Sequence, residues 1–355
     1  MSNAVHQFHG GILRRDAIGN AMVSLRELLL SSGHDSEIFV GSRLAEEPNG
    51  VPVRLIDEYR GDPTNVLLVH HSMRNDYLGR MLGLPDRLVL IYHNITPPRF
   101  FPGDPGLRRY CEEGREQLGA LRGRVTGAVA CSEFSARELR RAGFLDVVVI
   151  PPVFDFSRFR GPRAVAATSE ADGPLVLSVG RLARNKRQDE IVEVFEALAA
   201  RYAPSARLAL VGPYGVGDPY AANVLEKVSA SPFRERIRVT GSVPEEELVS
   251  IFAGASAYLS MSEHEGFGVP LLEAFAAGVP VVAFDAGAVA ETMGEGGVLF
   301  SRKEPLQVAA LLAEVLFDGA LRARIQEAQN HRLERSDLTG AAGRLLEAIR
   351  RWSRL

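Results

Sequence analysis

Two carboxylates, two glycines and a proline fall within nine residues of this chain, Glu265-Gly266-Phe267-Gly268-Val269-Pro270-Leu271-Leu272-Glu273. Pro270 suits the first turn of a helix, where its fixed backbone angle helps and its missing N–H costs nothing, so a helix is predicted to begin there. Gly266 and Gly268 let backbone approach a ligand closely, and the N–H groups at the positive end of the helix then point at an anion. A diphosphate fits that field. Glu265, in the loop, and Glu273, about a turn into the helix, lie on either side of it and can accept hydrogen bonds from hydroxyls, the groups of which sugars are made.

A second cluster, Gly180-Arg181-Leu182-Ala183-Arg184-Asn185-Lys186, follows a strand and leads into a helix. Arg181 can fork to phosphate oxygens and Lys186 can reach the same group as a point charge. Together they would neutralise a departing diphosphate without a metal ion. The chain has no Asp-x-Asp pair to hold one.

These residues need elements to position them. Short runs rich in Val, Leu and Ile alternate with amphipathic stretches, the pattern of parallel strands with crossover helices. Strands are predicted at Ala4 to Phe8, Ser36 to Val40, Val66 to His70, Leu88 to Tyr92, Gly127 to Cys131 and Val147 to Ile150. A second set is predicted at Leu175 to Val179, Arg207 to Val211, Ile237 to Thr240, Ala257 to Leu259, Pro280 to Phe284 and Gly297 to Phe300. Between the sets, Pro151-Pro152 and the aperiodic stretch from Phe154 to Pro174 read as a linker. The expected fold class is α/β, with two Rossmann-like parallel-sheet domains, residues 1–152 and 153–335, facing a central cleft. Open parallel sheets take ligands at the carboxyl ends of their strands. A last helix, about residues 336–355, is expected to pack back on the first domain through Leu345, Leu346, Ile349 and Trp352, with a peripheral membrane contact as the sharper alternative.

At 355 residues the chain exceeds what one core usually supports. Its 46% hydrophobic and 24% charged residues are those of an ordinary globular protein. A net charge of −3 argues against nucleic acid as the main partner. The two cysteines, Cys111 and Cys131, form no disulfide framework or metal knuckle, which suits a reducing cytoplasm. Met1 to Gly11 does not read as a signal peptide, and no apolar run is long enough to span a membrane. Any membrane role would be peripheral, at the inner face.

With Val239-Thr240-Gly241, the two clusters resemble the retaining GT-B glycosyltransferases of the family-four type, glycosyl transferases group 1, whose mark is Glu, seven residues, Glu. The resemblance implies a transfer from a nucleoside diphosphate sugar to an acceptor hydroxyl, in polysaccharide or glycoconjugate biosynthesis, with no cofactor and no metal. It implies that Glu265 contacts sugar hydroxyls, that Glu273 holds the ribose, and that Arg181 and Lys186 hold the diphosphate. Gly180, Gly241, Gly266, Phe267, Gly268 and Val269 complete the donor-binding set. Family members also carry a histidine, here His93 in Tyr92-His93-Asn94-Ile95-Thr96-Pro97, that faces the donor sugar across the cleft. The catalytic set is thus His93, Glu265, Arg181 and Lys186. The Gly-Gly that members usually carry before the first helix falls here at Asp16-Ala17, so Asp16, Gly19 and Asn20, with Asn94, are candidates for touching donor or acceptor. The acceptor is expected to be a carbohydrate or a lipid-linked species.

Plainer readings stand beside these. Taken singly, Glu273 is a surface carboxylate on a helix, and only the joint pattern reverses that. Gly212, Gly215 and Gly217 do not have dinucleotide-loop spacing and read as a flexible turn. His70-His71, and His6 with His9, lack companions that would make a metal site. Between Arg99 and Arg141 there are nine arginines against six acids, a solvated face or else a patch for an anionic acceptor or membrane. A nucleotide-sugar epimerase, a phosphorylase and a non-catalytic binding module on the same fold are the rival functions. An NAD-dependent oxidoreductase lacks its phosphate loop.

Overall fold

The computed structural model describes residues 4–11, 17–41, 50–160, 173–335 and 338–353. The chain divides into two compact units, residues 1–155 with 336–355, and residues 156–335.

Unit 1 is built on a seven-stranded sheet in which every pairing is parallel. Its strands are β1 (Val5–His9), β2 (Ile38–Val40), β3 (Val53–Leu55), β4 (Val66–His71), β5 (Arg87–Tyr92), β6 (Val125–Ala130) and β7 (Val147–Val149), in the order β3-β2-β1-β4-β5-β6-β7. β4 is buried along its whole length, as a strand covered by helices on both faces must be. The edge strand β3 is absent from the prediction. It has three residues, follows Pro52 and is only half-buried, so it offers neither an apolar run nor an alternation.

Unit 2 has six parallel strands: β8 (Leu175–Val179), β9 (Arg207–Val211), β10 (Ile237–Gly241), β11 (Ala257–Ser260), β12 (Val281–Phe284) and β13 (Val298–Phe300). Their order is β10-β9-β8-β11-β12-β13, so the winding reverses between β8 and β11. Ala257 and Tyr258 of β11 pair with Val176 and Leu177 of β8. In unit 1 the corresponding reversal lies between β1 and β4. Such switch points open a crevice at the carboxyl ends of the two strands, and that is where a doubly wound sheet binds small molecules.

The helix Leu338–Ser353 lays Leu345, Ile349 and Trp352 on the core formed by Val66, Leu68, Val89, Ile91 and Val129 of unit 1. Trp352 has no exposed surface, and its indole N–H donates to Asp146 Oδ2 at 2.6 Å. Arg351 reaches the other oxygen of Asp146 at 2.5 Å. This face packs on the protein's own core, as the sequence pattern predicts. Among the described residues no helix is long and apolar enough to cross a membrane. Trp352→Ala is expected to lower the unfolding free energy by about 3–5 kcal/mol, by deleting a buried indole and stranding Asp146. A urea midpoint unchanged from wild type would contradict this packing.

The segment read as a linker is ordered at its start. Ser157–Phe159 form a short 3-10 turn, and Phe159 packs edge-on against Phe252 at 5.2 Å between centroids. Residues 161–172 of that segment lie outside the described part of the chain.

Candidate functional site

In unit 2 the two clusters meet at the switch point. Lys186 closes a 3-10 turn, Arg184–Lys186, just past β8, and its Nζ lies 2.5 Å from Glu265 Oε1. Glu265 belongs to the loop that links β11 to the helix Val269–Ala276. Gly268, at φ 97°, is the N-cap of that helix and Pro270 occupies its first turn. Pro270 has no N–H and the Leu271 amide donates to Gly268 O at 3.1 Å, so the positive end of this helix is carried by its dipole and the Val269 amide.

The loop is stitched from both sides. On one side Asn185 Nδ2 donates to His264 O at 3.2 Å, and the Glu263 amide donates to Asn185 O at 2.7 Å. On the other, the Ala288 amide donates to Glu265 O at 2.9 Å and Thr292 Oγ1 donates to Phe267 O at 2.5 Å. Gly287, at φ 63°, lies so close that a Cβ there would be 2.4 Å from the same Glu265 carbonyl. Behind the loop Lys303 Nζ bridges Glu263 and Glu190 at 2.9 and 2.8 Å. Glu265 is thus fixed through its backbone before any ligand arrives.

Gly180 and Arg181 follow β8, and Gly241 closes β10. Arg181, exposed just after β8, makes no ion pair among the described residues. The Gly180 amide donates to Val211 O at 2.8 Å, and Gly241 O accepts from the Gly212 amide at 3.0 Å. Gly212 is therefore held, not loose: a Cβ there would come within 2.2 Å of Gly180 O, which accounts for a glycine where the sequence suggested only a flexible turn.

Glu273 is nearly buried, in the second turn of the helix, with Arg158 Nη2 at 3.9 Å from its Oε1. The plain reading of this residue as a solvated helix carboxylate is therefore wrong. Burial pushes its carboxyl up to about 7, Arg158 opposes the shift and Glu245 adds to it. Arg158 itself donates to Glu245 Oε1 at 2.8 Å. It comes from the aperiodic stretch before β8, where no pattern in the sequence singles it out.

The raised value has a consequence for stability. Between pH 4.5 and about 7 the folded state keeps a proton that the unfolded chain has released, so stability falls as pH rises through that window. Glu273→Gln is expected to be roughly 1–3 kcal/mol more stable than wild type at high pH, with the gain vanishing in acid. Urea titrations above and below the window would measure it, and a gain independent of pH would contradict the buried charge.

In unit 1, His93 follows β5, and its ring stands beside His70 of β4, with His70 Nδ1 2.8 Å from His93 Nε2. Burial pushes the His93 imidazole down to about 3, and His9 and His71 each to about 4. The loop after His93 is fixed by residues of the arginine-rich stretch Arg99 to Arg141. Arg115 donates to Thr96 O at 3.2 Å and to Glu138 Oε1 at 2.9 Å. Asn94, in the left-handed region at φ 70°, donates to Glu138 Oε2 at 3.1 Å. Other arginines of the stretch, Arg108, Arg109 and Arg140, are paired with Glu112, Glu113 and Glu133. Gly19 is buried in the first turns of the helix Ala17–Ser31 and Asn20 is half-buried beside it. Asp16 lies outside the described residues.

Residues 165–332 match the family model described as glycosyl transferases group 1. The chain is 30% identical over 215 residues to the D-inositol 3-phosphate glycosyltransferase of Nocardia farcinica, an alignment covering 58% of this chain and 48% of that protein. It is also 30% identical over 196 residues to the GDP-mannose-dependent alpha-(1-6)-phosphatidylinositol monomannoside mannosyltransferase of Mycolicibacterium smegmatis, covering 51% and 50%. The chain thus spans about half the length of these relatives. Among solved structures it superposes on Anabaena HepE in complex with UDP and glucose with a TM-score of 0.80, at 17% identity, over 98% of this chain and 99% of that one. The fold is that of the GT-B glycosyltransferases.

Proposed function

We propose, from the match of residues 165–332 to the glycosyl transferases group 1 model, that the chain transfers a sugar from a nucleoside diphosphate donor to an acceptor hydroxyl with retention of configuration. The observation that carries the reading is the Lys186 ammonium held 2.5 Å from Glu265 in the loop that leads into the helix Val269–Ala276. A diphosphate entering there meets the positive end of that helix, Lys186 and the exposed Arg181. These cations take up the charge that grows on the leaving group, which is the work a metal ion would otherwise do. Glu265, released from Lys186, accepts from sugar hydroxyls. Glu273 accepts from the ribose, and Gly180, Gly241, Phe267 and Val269 line the nucleotide.

In this reading the bond from the anomeric carbon to the phosphate oxygen breaks as the acceptor oxygen bonds to the same face of that carbon. The acceptor's proton passes to the leaving phosphate, so no protein nucleophile is required. His93 contacts the sugar. Unit 2 takes the donor and unit 1 the acceptor, a carbohydrate or lipid-linked hydroxyl. The names of the two relatives, one acting on an inositol phosphate and one on a phosphatidylinositol mannoside, support that class.

Thermal shift against UDP, GDP, ADP and their common sugars tests the donor, because a ligand that binds only the native state raises Tm. One of them is expected to stabilise the protein, and turnover of its sugar is expected to persist in EDTA. Conversion of the donor alone, without acceptor, would point to an epimerase. No shift with any nucleoside diphosphate would overturn the proposal.

A further inference from the structure

At the carboxyl ends of β1, β4 and β5 a line of hydrogen bonds has a direction that can be read. Gln7 Nε2 donates to the Met22 carbonyl at 2.9 Å, so the carboxamide oxygen is the end turned to His70. That oxygen can only accept, and therefore His70 Nε2, 3.1 Å away, carries the hydrogen. A neutral imidazole has one N–H, which leaves His70 Nδ1 bare and obliges it to accept from His93 Nε2 at 2.8 Å. His93 then has its hydrogen on Nε2 and a lone pair on Nδ1.

His70 is neutral for reasons visible around it. Gln7 and His9 face it from β1, His71 adjoins it on β4 and His93 faces it from β5. No carboxylate contributes to its environment among the described residues. Burial holds its value well below the ordinary one, and a charge on His93 or His9 would lower it further.

We infer that Gln7 and His70 are positioning residues: they hold His93 as the Nε2–H tautomer, so that the Nδ1 lone pair receives a hydroxyl of the transferred sugar. The inference rests on the assignment of His93 to the sugar made above. The pair has four ring nitrogens, and a buried one without a partner is costly. Here three are bonded, and the fourth, His93 Nδ1, has no partner among the described residues and belongs to the half-exposed ring of the pair.

The tautomer is measurable on the full chain labelled with 15N-histidine, by long-range proton–nitrogen correlation near neutral pH, with His93 assigned by its loss in His93→Gln. A pyrrole-type Nε2 and a pyridine-type Nδ1 are expected. The reverse pattern, or an even mixture, overturns the inference. Gln7→Glu supplies a second test. Its carboxylate stabilises a His70 imidazolium, whose Nδ1–H forces His93 Nε2 to accept and moves the His93 hydrogen to Nδ1. With that reversal kcat/KM should fall roughly 10- to 100-fold, as it does when partners that orient a functional histidine are changed. Affinity for the free nucleoside diphosphate that binds wild type should not change. Undiminished kcat/KM with the reversed tautomer overturns the positioning role. Because the tautomer is read without ligand, a wild type that transfers no sugar would defeat the proposed function separately.

Discussion

Lys186→Ala is expected to lower kcat/KM by about 10²- to 10³-fold while leaving the melting temperature within a few degrees of wild type. The two effects separate because they depend on different states. In the unliganded chain the Lys186–Glu265 pair is partly exposed, with side-chain exposures of 23% and 13%, and such pairs are worth about 1 kcal/mol or less to folding. In the proposed transition state the same ammonium would face a diphosphate gaining charge where water is excluded, and one preorganised donor there is worth a few kcal/mol. Steady-state kinetics with the donor that stabilises wild type, beside a thermal melt, would measure both. Lys186→Arg is not expected to restore the rate, because the planar guanidinium cannot place its charge where the short turn at Arg184–Lys186 puts the ammonium. Wild-type kcat/KM in purified Lys186→Ala would remove Lys186 from the site.

Much of the scaffold behind that lysine is legible in the sequence. The strands Leu175–Val179 and Arg207–Val211 have the predicted bounds, because their apolar runs end sharply in Gly180 and Gly212. The helix after Glu265 begins where Pro270 and Gly268 announce it. These are local signals, carried by neighbours in the chain. What was not legible depends on contacts between distant residues. Arg158 meets Glu273 across 115 positions and comes from a stretch with no period. Gln7 reaches His70 across 63, and neither residue type marks a partner. In the sequence Arg115 and Glu138 are two charges among many, yet they fix the loop that follows His93. Strand order decides which of these side chains meet, and strand order follows from how each sheet winds and not from any single segment.

Gly287→Ala tests the same dependence at a residue that carries no chemistry. Gly287 stands at φ 63°, and a Cβ there would lie 2.4 Å from Glu265 O and 2.8 Å from Glu265 N. Both neighbours are backbone, and the Glu265 carbonyl is already bound to the Ala288 amide at 2.9 Å, so relief requires the loop itself to move. A displacement of about 1 Å in a positioning group costs on the order of 100-fold in rate. The variant is therefore expected to lose roughly 100-fold in kcat/KM, together with about 1–3 kcal/mol of stability from the strained backbone and the clash. Gly278→Ala is the control. That residue, at φ 67° just beyond the helix Val269–Ala276, would pay the same left-handed penalty, but its added methyl meets nothing within 4 Å. It should lose about 1 kcal/mol of stability and no activity. If both variants lost the same fraction of kcat/KM, the loss would follow from general destabilisation. If Gly287→Ala kept wild-type kcat/KM, the backbone of Glu265 would not be what holds its carboxylate in place.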